Sequence, residues 1–341
     1  MKDIVLCGRW NKREYHLDNS DMLFFQHLAA RSSSYRYHFI NMDLPQGLFG
    51  VQDRTKVLSH VNDGHYLVFC GHNFHHPRLP SFIRDYSRKA AFMYDTLNSY
   101  VYVNYLRNHN FKFCFHLAEG SQIGSGWYTI RKMRELAPDI KFFRGTSFID
   151  QGVFYPQDLE KKHDVFGAMI HWPDYEIRYP FRHRVYSILH EAKEVDFHYI
   201  QENEDDFYKP GTREKIYAEL GRGSFAKNIN ESLMTFVSPS IFDFFVKKYT
   251  EVALCKTLMI GRLPEHDPLA KKYHGCVFEL DKHDPKEDII NAVLHLKEDR
   301  ALREELADKA YDVAINNFTW RQGVPFWENA FQEFIDYTKK A

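Results

Sequence analysis

The sequence predicts an α/β protein of two successive domains, each a parallel sheet wound with helices. Three observations carry that expectation. Short apolar strings alternate with longer amphipathic stretches along the chain, the pattern of buried strands joined through helices. A polar interval at residues 156–163 separates two halves that follow the same order of strings and stretches. The 341 residues, 44% of them hydrophobic, are enough to build a core for each half.

In the first half the expected strands are residues 4–7, 37–40, 66–70, 111–115 and 140–143, each a short apolar run between polar or turn-forming residues. The clearest helices between them are residues 21–30, with Ser20 as a candidate cap, and 127–136, approached through Gly124 and Gly126. The second half opens with a strand at 164–170, then a helix at 181–190 and a strand at 195–200. Strands at 233–237 and 257–260 enclose a helix at 246–255, which is βαβ periodicity. A strand at 276–280 follows, with helices at 287–296 and 300–316. The aromatic helix at 325–340 comes after the second sheet has run out of strands, so it packs at the domain seam or returns to the first domain. The expected division is therefore 1–160, 161–322 and a terminal helix at 323–341, with the cleft between the domains as the default site.

Composition narrows the function. Lys plus Arg number 45 against 46 Asp plus Glu, a formal charge of -1, which supplies no extended attraction for nucleic acid or an anionic membrane. Cys7, Cys70, Cys114, Cys255 and Cys276 stand apart with no CxxC spacing, so they read as buried thiols in a reducing compartment, and a structural zinc knuckle is disfavoured. The opening MKDIVLCGRW is too short an apolar run for a signal sequence or a membrane span, and the expectation is a cytoplasmic protein. Aromatic residues make up 16% of the chain, a content that serves cores and surface grooves equally well.

Local chemistry concentrates at a few places. In the second half Lys247, Lys248 and Glu251 fall on one face of the expected helix at i, i+3 and i+4 spacing. A lysine there can neutralise charge on a diphosphate leaving group, and a carboxylate can accept both protons of a ribose diol; the same spacing also makes an ordinary solvated ion pair. Ser238 lies in the loop ahead of that helix. The segment YPFRHR, residues 179–184, brings Tyr179, Arg182 and Arg184 to a helix start, a second anion site or a salt-bridge patch. In the first half Gly8 and His116 each follow an expected strand, where they can line a cleft; Glu119 accompanies His116. GSQIGSG, residues 120–126, lacks the ending of a phosphate-binding NTPase loop, and Gly8-Arg9-Trp10 is not a dinucleotide fingerprint. The three imidazoles of GHNFHH, His72, His75 and His76, have no carboxylate partner that would make a metal site, and the acidic run at 202–206 reads as a solvated loop. No GxSxG elbow is present.

The second half resembles the CgeB-like spore-maturation glycosyltransferases, with a group 1-like C-terminal domain, and more distantly nucleotide-sugar transferases of GT-B architecture. DVFGAMIHWPDYEIRYPFRHRVYSIL, from Asp164, is similar to the family's opening strand and arginine-bearing helix start. KKYTEVALCKTLMI, from Lys247, is similar to its Lys-Tyr-Phe-Glu helix and the turn and strand that follow. The likeness is strongest over residues 164–322. Two positions depart from the pattern: Thr250 replaces an aromatic residue, and Lys256 stands where the family has glycine.

The resemblance implies a GT-B fold, two Rossmann-like α/β/α domains facing each other across a cleft. It implies transfer from a nucleotide-sugar donor, with no tightly bound cofactor or metal, to a hydroxyl of a glycan or glycolipid, with retention of configuration. On that reading Arg182, Lys248 and His116 are catalytic, while Glu251 contacts the donor ribose and Tyr179, Lys247, Ser238 and Gly8 complete the donor site. Lys256 motivates an alternative, a nucleotide- or carbohydrate-binding protein with reduced catalysis; nucleotide-sugar epimerisation is a further one.

Overall fold

The computed structural model describes residues 1–8, 20–41, 61–71, 81–93, 99–117, 130–167, 175–200 and 222–340. Arg9, Trp10, the three imidazoles of GHNFHH, Glu119, GSQIGSG and the acidic run at 202–206 lie outside these residues.

The first sheet is made from β1 (Lys2–Gly8), β2 (Tyr35–Asn41), β3 (His65–Gly71), β4 (Lys89–Met93), β5 (Phe113–His116) and β6 (Lys141–Arg144). Its described helices are α1 (Ser20–Arg31), α2 (Ser81–Asp85), α3 (Ser99–Asn108) and α4 (Ile130–Leu136). The second sheet takes β7 (His163–Gly167), β8 (Phe197–Tyr199), β9 (Ser232–Val237), β10 (Leu258–Gly261) and β11 (Val277–Glu279). With it go α5 (Tyr175–Arg178), α6 (Pro180–Glu191), α7 (Arg222–Asn230), α8 (Lys248–Leu254), α9 (Lys286–Glu298) and α10 (Arg300–Asn317), before the last helix, α11 (Trp320–Lys340).

Every pairing is parallel, and the orders are β2-β1-β3-β4-β5-β6 and β11-β10-β9-β7-β8. Each unit thus winds outward in both directions from its first strand. The direction of winding reverses between β1 and β3 in one sheet and between β7 and β9 in the other. In open sheets of this kind the crevice beyond the carboxyl ends of the strands at the reversal is where ligands bind.

Two units result. β1 with Asp21–Ser147 and the residues from Arg321 onward form one, and Phe148–Trp320 forms the other. The second begins ahead of the polar interval at 156–163 because Ile149 and Phe154 are buried in its core. Its two ends meet in a short parallel bridge between Ile149 and Thr319, and the Trp320 indole donates to the Phe148 carbonyl at 3.1 Å.

α11 belongs to the first unit. It starts at Trp320, earlier than the sequence suggests, with Pro325 inside its first turns, where the missing N–H forfeits one hydrogen bond. Trp327 is the anchor, with its ring centroid 5.3 Å from those of Phe25 and Phe92 and 5.6 Å from that of Phe115. It lies so close to Gly145 that a Cβ there would sit 2.9 Å from the indole. Much of the aromatic content of the chain is spent on this core. Four of the five cysteines are buried and none is in a disulfide, and burial pushes the Cys7 and Cys114 thiols far up. No helix among the described residues is long and apolar enough to cross a membrane.

β4 carries a charge into this core. Lys89 is 3% exposed; its ammonium donates to the carbonyls of Arg84 at 2.9 Å and Tyr86 at 2.6 Å. Burial, opposed by the Asp85 carboxylate, pulls its pKa down from 10.5 to about 8. Between those two values the unfolded chain holds a proton that the folded unit has lost, so stability rises with pH through the window from about 8 to 10.5. Below it the folded unit bears the buried charge in full. A urea midpoint that climbs across this window in the wild type, with a shallower climb in Lys89→Met, is the expected result; parallel curves would contradict it.

Candidate functional site

The second unit gathers six of the sequence-identified residues at the carboxyl end of its sheet. α6 follows β7 and α8 follows β9, so both helices start at that end, and they pack on opposite faces: α6 against Val165, Met234 and Phe236, α8 against Phe166, Val237 and Met259. The reversal between β7 and β9 lies between them. β10 ends beside it at Gly261, whose φ of 133° suits only glycine; a Cβ there would stand 2.0 Å from the Val237 carbonyl oxygen.

At the start of α6, Pro180 takes the first helical turn, where its missing N–H costs nothing, and Tyr179 precedes it without a side-chain cap. Arg182 turns inward. It is 1% exposed, its guanidinium stacks 3.9 Å from the centre of the Tyr179 ring, and Nη2 donates to the Ser238 carbonyl at 2.9 Å. Ser238 is itself fully buried, and its hydroxyl has no hydrogen-bond partner among the described residues. Arg184 goes elsewhere, donating to the carbonyls of Lys282 and Asp284 ahead of α9. Of the two arginines in YPFRHR, Arg182 is buried against Tyr179 and Ser238, and Arg184 ties α6 to the segment ahead of α9.

At the start of α8, Glu251 is completely buried. Lys248 Nζ lies 2.8 Å from its Oε2 and Lys247 Nζ 4.0 Å from its Oε1. The Lys248 ammonium also stands 3.7 Å from the centre of the Phe225 ring. This is not the solvated ion pair that the spacing alone allows. Taking a carboxylate and an ammonium out of water costs several kcal/mol per ion, and an apolar pair of the same volume is often as stable or more so. Only the carboxylate is fully withdrawn here: the Lys247 and Lys248 side chains keep 28% and 21% exposure.

Gly8 and His116 lie at the carboxyl edge of the first sheet, ending β1 and β5. Two strands separate them, which sets them three strand spacings, about 14 Å, apart. His116 is buried, and its carbonyl accepts the N–H of Gly145 at 2.8 Å.

The two departures from the family pattern have structural reasons. Thr250 is buried with its hydroxyl 3.2 Å from that of Tyr273, while Tyr249 supplies an aromatic ring beside it, stacked on Phe245. The Tyr249 hydroxyl donates to the Arg262 carbonyl at 2.5 Å, and burial pushes its pKa well up. Lys256 has a left-handed backbone, φ 52°, at the end of α8, the position where glycine is the usual residue. Its ammonium pairs with Asp308 at 2.7 Å and lies 4.9 Å from the centre of the Tyr311 ring, so it is directed to α10 and not to Glu251.

Sequence reading missed Asp243. It is buried, its φ is 51°, and its carboxylate accepts the backbone N–H groups of Glu265 and His266 in the loop after β10. Only its place between a strand and a helix, beside two serines, could have drawn attention to it. Among the described residues no group of three or more His, Cys, Asp or Glu is placed to hold a metal ion.

No family model and no curated protein matches this sequence. Solved structures do. A glycosyltransferase from Rickettsia africae ESF-5 superposes with a TM-score of 0.59 at 10% identity, covering 98% of each chain. HepE from Anabaena, in complex with UDP and glucose, gives 0.57 at 8% identity over 98% of this chain and 100% of that one. The fold is of the GT-B type. TarM of S. aureus is also similar, with a TM-score of 0.52 at 12% identity over 82% of this chain, which spans 57% of the length of that one. Identities this low carry the architecture and not the chemistry.

Lys256→Gly tests what that departure does for the fold. Relief of the left-handed strain gains about 1–2 kcal/mol, and loss of the exposed pair with Asp308 gives back about 0–1 kcal/mol. The variant should melt at or above the wild-type temperature; a melting temperature several degrees lower would show that Lys256 holds α8 to α10 by more than an exposed pair.

Proposed function

We propose that this chain is a nucleotide-sugar-dependent glycosyltransferase. The observation that carries the reading is the buried Glu251–Lys248 pair at the carboxyl end of the second sheet, with the Arg182 guanidinium on the other side of the same strand reversal. The UDP and glucose held by HepE, a chain of the same fold, support it. So does the resemblance of residues 164–322 to the CgeB-like transferases.

On this reading the second unit binds the donor. Glu251 accepts hydrogen bonds from the ribose diol, and Tyr179, Lys247 and Ser238 line the nucleotide. Arg182 and Lys248 face the diphosphate, whose negative charge grows as the bond from the sugar C1 to the phosphate oxygen breaks. These fixed cations supply the positive charge that such a leaving group needs without a bound metal. The electron pair of the broken bond goes to the phosphate oxygen, the acceptor oxygen bonds to C1 on the same face, and the acceptor proton passes to the departing phosphate. The first unit serves the acceptor, a glycan or glycolipid hydroxyl, with His116 to orient it, while Gly8 at the end of β1 completes the donor site. The compartment is the cytoplasm, where activated sugars and reduced thiols coexist.

The test is a mass-spectrometric screen of the purified chain against UDP-, GDP-, ADP- and CMP-sugars, with and without a panel of small glycans. The expected outcome is binding of one nucleotide class and a new glycan mass. Glu251→Gln should fold and lose about tenfold or more in donor affinity, the scale of hydrogen bonds to a charged group. A donor affinity equal to that of the wild type would remove Glu251 from the site, and failure to bind any donor would remove the activity.

A further inference from the structure

The ammonium of Lys248 is held by two groups of different kinds. One is the Glu251 carboxylate, whose Oε2 lies 2.8 Å from Nζ. The other is the ring of Phe225, whose centre lies 3.7 Å from the same Nζ. Phe225 stands in the first turn of α7, and α7 shares a core cluster with α8 on one face of the second sheet. The ring is itself fixed. It is 3% exposed and meets Phe166 and Phe154 edge to face, with centroids 5.4 and 6.5 Å away and planes 63° and 69° apart. Phe166 precedes the last residue of β7, so the ring that carries the cation is anchored at the carboxyl end of that strand, where the winding reverses.

A lysine head is strongly hydrated, and its flexible stem ordinarily carries it out to water. The Lys248 side chain keeps 21% exposure, so water is within its reach, yet its head stands over the ring. The two holders differ in what they do to its charge. A carboxylate that holds an ammonium also cancels it, whereas an aromatic face attracts a cation through its quadrupole and carries no net charge. Lys247 and Lys248 share the one carboxylate of Glu251. The ring therefore steadies Lys248 while leaving the two lysines in excess of positive charge over their carboxylate.

We propose that Phe225 is a positioning residue of the donor site, whose ring face holds the charged Lys248 ammonium where it meets the donor diphosphate. The proposal rests on reading the second unit as the donor site. It adds two consequences. Diphosphate affinity depends on the electron density of the ring at position 225, and a ligand without phosphate is indifferent to it.

Mono-, di- and trifluorinated phenylalanine at position 225 provide the test, because each fluorine drains negative potential from the ring face while changing its size little. The full chain carrying each ring is titrated calorimetrically with UDP, GDP and ADP and with the corresponding nucleosides, and its melting temperature is recorded. Expected is a stepwise loss of affinity for the diphosphate that the wild type binds, reaching roughly tenfold with three fluorines, the scale of a partly desolvated cation–π contact. Nucleoside affinity and melting temperature should stay level across the series. In Lys248→Met, which keeps an unbranched stem and loses the charge, diphosphate affinity should no longer vary with fluorine number. A ring that only fills the core gives a flat series, an equal loss for nucleoside and diphosphate, or a trend that survives in Lys248→Met. Any of these overturns the proposal and leaves the donor site standing. Failure of the wild type to bind any of the three diphosphates also overturns the proposal, and failure with CMP as well overturns the donor reading.

Discussion

A guanidinium cannot give up its charge, so the burial of Arg182 to 1% exposure obliges the fold to answer it. The answer comes from two elements that are distant in sequence. The Tyr179 ring lies against the face of the guanidinium, and the Ser238 carbonyl accepts from its edge. One cation thereby fixes the first turn of α6 to the end of β9, across the point where the winding of the sheet reverses. If that charge were misplaced the fold would lose more than an ion pair, because an unanswered buried charge costs more than the pair gains.

The rest of the second unit can be understood as making room for this arrangement. β9 and β10 approach until a backbone carbonyl lies where a side chain of residue 261 would be, which is why the strand ends in glycine. The loops beyond are held by carboxylates and not by apolar packing. Asp243 and Asp267 each take backbone donors from the opposite loop, so neither loop can shift without the other. Glu251 and its two lysines then sit at the head of a short helix whose other positions are buried. The amino end of the sheet has buried polar groups of its own, Asp164, Asn230, Ser232 and Thr257, with the Lys297 ammonium donating to the Asp164 carboxylate at 2.9 Å.

How far this could be read from sequence depended on the kind of signal each element carries. β1, β3, β7, β9 and β10 are legible because a strand buried on both faces is a continuous apolar run. β4 is not: KAAFM has two alanines and begins with a lysine, yet all five residues are buried. α3, SYVYVNYLRN, has the β-branched and aromatic composition of a strand, and α7 carries a glycine and two asparagines that weaken a helical pattern. In the site, Lys248 and Glu251 are neighbours by helical spacing and were legible for that reason. Arg182 and Ser238 are 56 positions apart, and Asp243 and His266 are 23 apart. Only the parallel pairing of β7, β9 and β10 brings such residues to a common edge, and no periodicity in the chain encodes it.

The placement of α11 has a bearing on how the protein is made. The rings of Phe25, Phe92 and Phe115 are all translated well before Trp327, which fills the space among them. Domains of a nascent chain commonly fold in the order in which they leave the ribosome. Here the leading half emerges with its aromatic core open and stays so until the trailing half has been translated, whereas Phe148–Trp320 contains both ends of its own core. The half synthesised second is thus the first able to finish, and the waiting half is the one that needs shelter from aggregation in the cell.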